Sequence, residues 1–171
     1  MNPAIRPKNV TGQARYKDRL RGWRDEVRVR GANLPCGCKS GEMAIKQHNP
    51  DGVFPPYDNY AHAVEVAAGS RLLFISGLNG YETDGVSMPA DFEGQAELIW
   101  SHLETVLAAA DMSISNLVSL RFYLAHSASD PANVAVLKRR LGDHHAARTV
   151  VCAGMLEPGW LVEVEAVAAA G

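Results

Sequence analysis

The closing segment of the chain holds two strand-length apolar runs that each carry charge where a buried strand should carry none. Arg148 stands at the mouth of the first, Ala147-Arg148-Thr149-Val150-Val151-Cys152. Glu163 and Glu165 sit inside the second, Leu161-Val162-Glu163-Val164-Glu165-Ala166-Val167. Side chains alternate along a strand, so two glutamates two apart leave the backbone on one face. A guanidinium beside carboxylates on apolar strands is either a costly structural ion pair or the lining of a small polar pocket. The pocket would suit a ligand that carries a carboxylate.

The rest of the pattern places these strands in an α+β layer. After turns at Asn49-Pro50-Asp51-Gly52 and Pro55-Pro56, residues 62–66 alternate as a strand, and Gly69-Ser70 turns the chain into Arg71-Leu72-Leu73-Phe74-Ile75-Ser76-Gly77, an apolar run of strand length. Phe92, Ala96, Ile99, Leu103, Val106, Leu107 and Ala110 form one helical stripe. Residues 116–124 read as a strand, and Asp130-Pro131 opens a second helix, with Asp130 as N-cap, that runs to Leu141 and stops at Gly142. The order is ββ–α–β–α–ββ, with room for an extra strand near Val86. It predicts one mixed sheet with two helices packed on one face. The other sheet face must be buried elsewhere, most simply against further copies of the chain.

Charge divides the chain near Met43. Residues 1–42 carry a net +6 and residues 43–171 a net −8. The first segment, rich in Arg, Gly and Pro, reads as a basic, disordered extension or as the result of an early start codon, and 43–171 reads as the domain. The N-terminus shows no apolar run of signal-peptide type and no run reaches membrane-spanning length. Three cysteines, an odd number, fit a reducing cytoplasm better than a disulfide framework. Cys36-Gly37-Cys38 lacks a second Cys/His pair at ligand spacing, so no metal is expected there. Cys152 reads as a small core residue and His144-His145 as a solvated turn. Taken alone, Arg148 reads equally as a surface strand-end arginine, and each glutamate as part of a solvent-facing stripe. Phosphate-loop, dinucleotide, HExxH and G-x-S-x-G patterns are absent from the sequence.

Several ordered motifs together resemble the Rid family, the YjgF-type enamine/imine deaminases. They are Asn59-Tyr60-Ala61-His62-Ala63-Val64, Leu73-Phe74-Ile75-Ser76-Gly77, Asn133 after a small alignment shift, Ala147-Arg148-Thr149-Val150-Val151, and Val162-Glu163-Val164-Glu165-Ala166, with the family's fifteen-residue offset from Arg148 to Glu163. The resemblance covers about 44–171. It implies a chorismate-mutase-like subunit in a homotrimer, active sites between subunits, no metal and no organic cofactor. It further implies hydrolysis of reactive enamines and imines such as 2-aminoacrylate to 2-keto acids and ammonia.

Carried onto this chain, the resemblance assigns Arg148 and the backbone of Gly77 to the substrate carboxylate. Glu163 takes the water and the proton transfers, helped by the Val150 carbonyl. Tyr60 and Ser76 line the pocket, and Asn133 supports it. The chain departs from the family at Leu78-Asn79, where Gln often follows Ser-Gly, and at Thr149 and Val150, where Ser and Cys are common; these positions touch pocket shape. Two other functions use the same cleft or family: a non-enzymatic binder of small carboxylate metabolites, or chaperone-like partner, and an endoribonuclease. The acidic domain opposes phosphate binding.

Overall fold

The computed structural model describes residues 45–56 and 60–171. The basic segment 1–42, with Cys36 and Cys38, and Asn59 of the first motif lie outside the described residues. In chain order the elements are β1 (Ile45–His48), β2 (Ala63–Val66), β3 (Arg71–Asn79), α1 (Phe92–Ala109), β4 (Leu117–Leu124), α2 (Asp130–Leu141), β5 (Ala147–Cys152) and β6 (Val162–Ala170). β1 and β2 form an antiparallel pair. The other four strands form a mixed sheet in the order β3-β6-β4-β5, with only β4 and β5 parallel.

Period decides which residues are buried. Val162, Val164, Ala166 and Ala168 of β6 and Leu120, Phe122 and Leu124 of β4 face the helices and are buried, while the residues between them face the opposite side. α1 lays Ala96, Ile99, Trp100, Leu103 and Leu107 on this sheet face, and α2 adds Val136, Leu137 and Leu141. Asp91 caps α1 by accepting a hydrogen bond from Gly94 N at 2.8 Å. The helices are joined across their outer surfaces by Arg139 and Arg140 of α2, which bind Glu93, Glu97 and Glu104 of α1.

The expected α+β layer with a mixed sheet is present, three local expectations need correction, and one strand was not expected. Val86 is not in a strand: the Asp84 carboxylate accepts from Val86 N and Ser87 N, both at 2.8 Å, and folds the segment into a turn. β4 starts at Leu117 rather than Asn116, because Asn116 closes a 3-10 turn against Ser113. Ser129, not Asp130, occupies the N-cap of α2. The first strand, β1, has no counterpart among the sequence expectations.

Between Ile75 and Leu78 the β3–β6 register slips. Ile75 pairs with Ala166 and Leu78 with Val164, so Ser76 and Gly77 together oppose Glu165. Such a bulge turns consecutive side chains to one side and re-aims them. Ile75 and Leu78 pack on the helix-side core, and Ser76 and Gly77 are both left on the open face of the sheet.

Candidate functional site

The open face is built from rows that run across the sheet. One row is Asn79, Glu163, Tyr123 and Val151, set by the pairings Asn79–Glu163, Tyr123–Glu163 and Tyr123–Val151. The next holds the Ser76–Gly77 bulge, Glu165, Arg121 and Thr149. A further row brings Phe74, Val167 and Ser119 together, with Leu72 beyond. The face is therefore polar at one end and apolar at the other, and Phe74 is 75% exposed there.

Glu163 sits at the centre of the polar end. Its carboxylate lies against Gly77: a Cβ on Gly77 would overlap Glu163 Oε1 and stand 2.8 Å from Cδ. Gly77 is a glycine because the carboxylate occupies its side-chain space. Beside Glu163 a concavity of about 200 Å³ is lined by Tyr123, Glu163 and Glu165 of the sheet and by Ala153, Gly154, Met155 and Leu156 of the β5–β6 loop. A second concavity of about 280 Å³ lies over Phe74, Ser76, Ser119, Arg121, Glu165 and Val167.

Glu165 has an ion-pair partner, and it is Arg121 rather than Arg148. The two are paired in register across β4 and β6. The hydrogen bond that Arg121 donates to the Tyr123 hydroxyl oxygen and the charge of Glu165 raise the Arg121 pKa, keeping the guanidinium charged. The expectation that Arg148 stands beside these glutamates is therefore corrected: within the chain Arg121 of β4 takes that place.

Arg148 belongs to the other half of the site. It is paired in register with buried Leu120, which places it on the helix side of the edge strand β5. Ala61 is buried and bridges to Ala147, its N–H donating to Ala146 O at 3.1 Å, and this docks the segment before β2 beside β5. The Arg148 guanidinium carbon lies 5.6 Å from the centre of the Tyr60 ring, within cation–π range. Tyr60 in turn makes an edge contact with His62 at 5.6 Å. Among the described residues Arg148 has no ion-pair partner, and its Nη1 is buried without an acceptor. Asn133, on α2, is 2% exposed and its Nδ2 is likewise buried without an acceptor.

Within one chain these halves do not meet. Arg148 and Glu163 are two strands and three register positions apart and on opposite sheet faces. Strand geometry puts their Cα atoms about 14 Å from each other. Tyr60 and Arg148 form one group, and Ser76, Gly77 and Glu163 the other. Val150 is half-buried on β5, two residues beyond Arg148.

Two minor expectations are corrected here. Cys152 is exposed, because it ends the edge strand rather than entering the core. His144 is half-buried rather than solvated, and its Nε2–H donates to Leu117 O at 2.7 Å. Sequence reading noted Asn79 only as a departure from the family pattern and passed over Arg121, Tyr123 and Gln95. The period-two polar positions Ser119, Arg121 and Tyr123, between buried Leu120, Phe122 and Leu124, carried the signal for the middle pair.

The Endoribonuclease L-PSP family matches residues 53–170. The chain belongs to this family, the Rid-type proteins. It is 27% identical over 111 residues to protein HMF1 of Saccharomyces cerevisiae, which covers 65% of this chain and 84% of that protein. Among solved structures it resembles a conserved Rid-family protein, YyfB, of Yersinia pestis, with 28% identity and a TM-score of 0.65 over 75% of this chain and all of that one. RidA of an Antarctic Psychrobacter shares the fold, with a TM-score of 0.55 at 23% identity over 74% of this chain and 98% of that one. The family includes proteins described as endoribonucleases as well as Rid proteins, so membership alone leaves the reaction open. No helix among the described residues is long and apolar enough to cross a membrane.

Proposed function

We propose that this protein is a cytoplasmic deaminase that hydrolyses small 2-imino acids and their enamine tautomers to 2-keto acids and ammonia, in clefts between the subunits of a homotrimer and without a metal or cofactor. The observation that carries this reading is the buried, unpartnered Nη1 of Arg148 beside Tyr60. A guanidinium so placed calls for a planar anion, and a carboxylate is its natural bidentate partner. The exposed apolar residues Leu72 and Phe74 on the open face support a second copy as the neighbour that covers them.

In this reading Arg148 and Tyr60 of one subunit hold the carboxylate against Ser76, the Gly77 backbone and Glu163 of the next, and Asn133 supports Arg148. Water adds to the iminium carbon, the C=N electron pair moves to nitrogen, and Glu163 takes the water proton while the Val150 carbonyl orients that water. Glu163 then returns the proton to the amine, the C–N bond breaks, and the carbonyl forms. The balance is iminium acid plus water giving keto acid plus ammonium. The iminium is already electrophilic, so orientation and one acid/base group are sufficient.

The test is a coupled assay in which an amino-acid oxidase generates imino acids and semicarbazide trapping reports their loss. Wild type should accelerate the loss. Glu163→Gln keeps the shape of the side chain and should bind a 2-keto acid while losing most turnover. Binding of the keto acid without any turnover by wild type would convert the reading to a metabolite-binding module.

A further inference from the structure

We propose that Asn79 is a further catalytic residue of the Glu163 site, donating its side-chain N–H to the water that attacks the substrate. The identity of the bound oxygen rests on the hydrolytic reading above, whereas the placement of the donor does not.

Asn79 and Glu163 are direct register partners on neighbouring antiparallel strands and share the open face. Side chains so paired have Cβ atoms about 5 Å apart. Asn79 Nδ2 is buried and has no acceptor, Glu163 included. A buried donor left in this state bears its full desolvation penalty. The strand end is packed against α1. Gly80 follows at once and lies on the backbone of Gln95, where a Cβ would come within 2.6 Å of Gln95 Cα. Gln95 is itself completely buried, donates to Pro89 O at 2.9 Å and Gly159 O at 2.8 Å, and accepts from Leu161 N at 2.9 Å. Asn79 is thus anchored through Gly80 at the register position opposite Glu163.

A donor and a carboxylate facing each other across two strands form a two-point holder for water. The water accepts from Asn79 Nδ2 and donates one proton to Glu163. One lone pair remains for the imine carbon. As the C–O bond forms, the proton held by Glu163 transfers to it and the C=N pair moves to nitrogen, so the step balances with no further reactant. Gly77, with no side chain, makes the room that Glu163 Oε1 occupies. An amide suits this position because it donates at every working pH and adds no charge opposite Glu163.

The experiment compares wild type with Asn79→Leu, which keeps the volume and loses the donor, and Asn79→Ser, which is smaller and keeps one. Thermal melting and light scattering establish that each variant folds and assembles as wild type. Asn79→Leu should lower kcat about 10- to 100-fold with KM changed less than about threefold, as for loss of a donor that acts on the reacting oxygen, and Asn79→Ser should recover part of the loss. Wild-type kcat in a folded Asn79→Leu protein would overturn the proposal, as would an effect confined to KM. A separate arm needs no turnover. The Asn79 side-chain amide resonance, assigned by its absence from Asn79→Leu or Asn79→Ser, should shift saturably on addition of 2-oxobutanoate to wild-type protein. If wild type proves inactive on imino acids, the hydrolytic reading fails on its own. A shift would then still place Asn79 in a ligand site, and an unmoved resonance would overturn its placement too.

Discussion

The Glu163 carboxylate occupies the space that a side chain at Gly77 would fill. The constraint is steric rather than conformational, since Gly77 is not among the glycines with positive φ. Gly77→Ala should therefore displace the carboxylate more than it disturbs the strand. The expected outcome is a loss of about 100-fold in kcat/KM, the effect of misplacing a catalytic group by about 1 Å. Overpacking should cost about 1–3 kcal/mol of stability. Steady-state kinetics with parallel denaturant melts would check both, and unchanged kinetics would remove Glu163 from contact with the reaction.

Gln95 ties three backbone groups from two loops to α1. Gln95→Leu is nearly equal in size but leaves Pro89 O, Gly159 O and Leu161 N without their partner. Stability should fall by about 3 kcal/mol or more. Gln95→Glu should be at least as damaging, because two carbonyls would then face a carboxylate oxygen. Urea unfolding would measure both.

Much of the fold could be read from period alone. The Glu163–Glu165 alternation, the α1 stripe and the stop at Gly142 each reported local geometry correctly. Arg121 as the partner of Glu165 could not be read this way, because the pair is separated by 44 residues and set by the β4–β6 register. The side-chain turn at Asp84 hid in a segment whose valine looked like a strand residue. Gln95 looked like any polar helix position until the loops above it were in place. Of the candidate site, the residue types were legible, but their division into two groups on opposite sheet faces depends on strand order, which no local pattern encodes.

Glu97 gives the fold a predictable acid response. The hydrogen bond from Arg139, reinforced by Arg140, holds its carboxyl below the usual range despite the opposing effect of burial. A carboxyl depressed in the folded state stabilises above its unfolded pKa of about 4.3, and that stability is lost as pH falls through the folded value. Glu97→Gln should cost about 1 kcal/mol at pH 7, and its melting temperature should converge on that of wild type as pH drops below about 4. A gap that persisted in acid would show that the cost arises from shape rather than charge.

The separation of Arg148 from Glu163 within one chain gives the subunit-interface reading its sharpest test. Arg148→Ala should lose about 100-fold or more in kcat/KM, the scale for removing one partner of a desolvated charge pair, and Arg148→Lys should recover little because it lacks the two-pronged contact. Arg148→Ala and Glu163→Gln homotrimers should each be nearly inactive. In trimers assembled at random from equal amounts of the two variants, a site that takes Arg148 from one subunit and Glu163 from its neighbour is intact about one time in four. Co-refolded mixtures should therefore regain about a quarter of wild-type activity, while the same proteins mixed after assembly should regain none. A site contained within a single chain would give no recovery in either mixture, because every subunit carries one of the two substitutions.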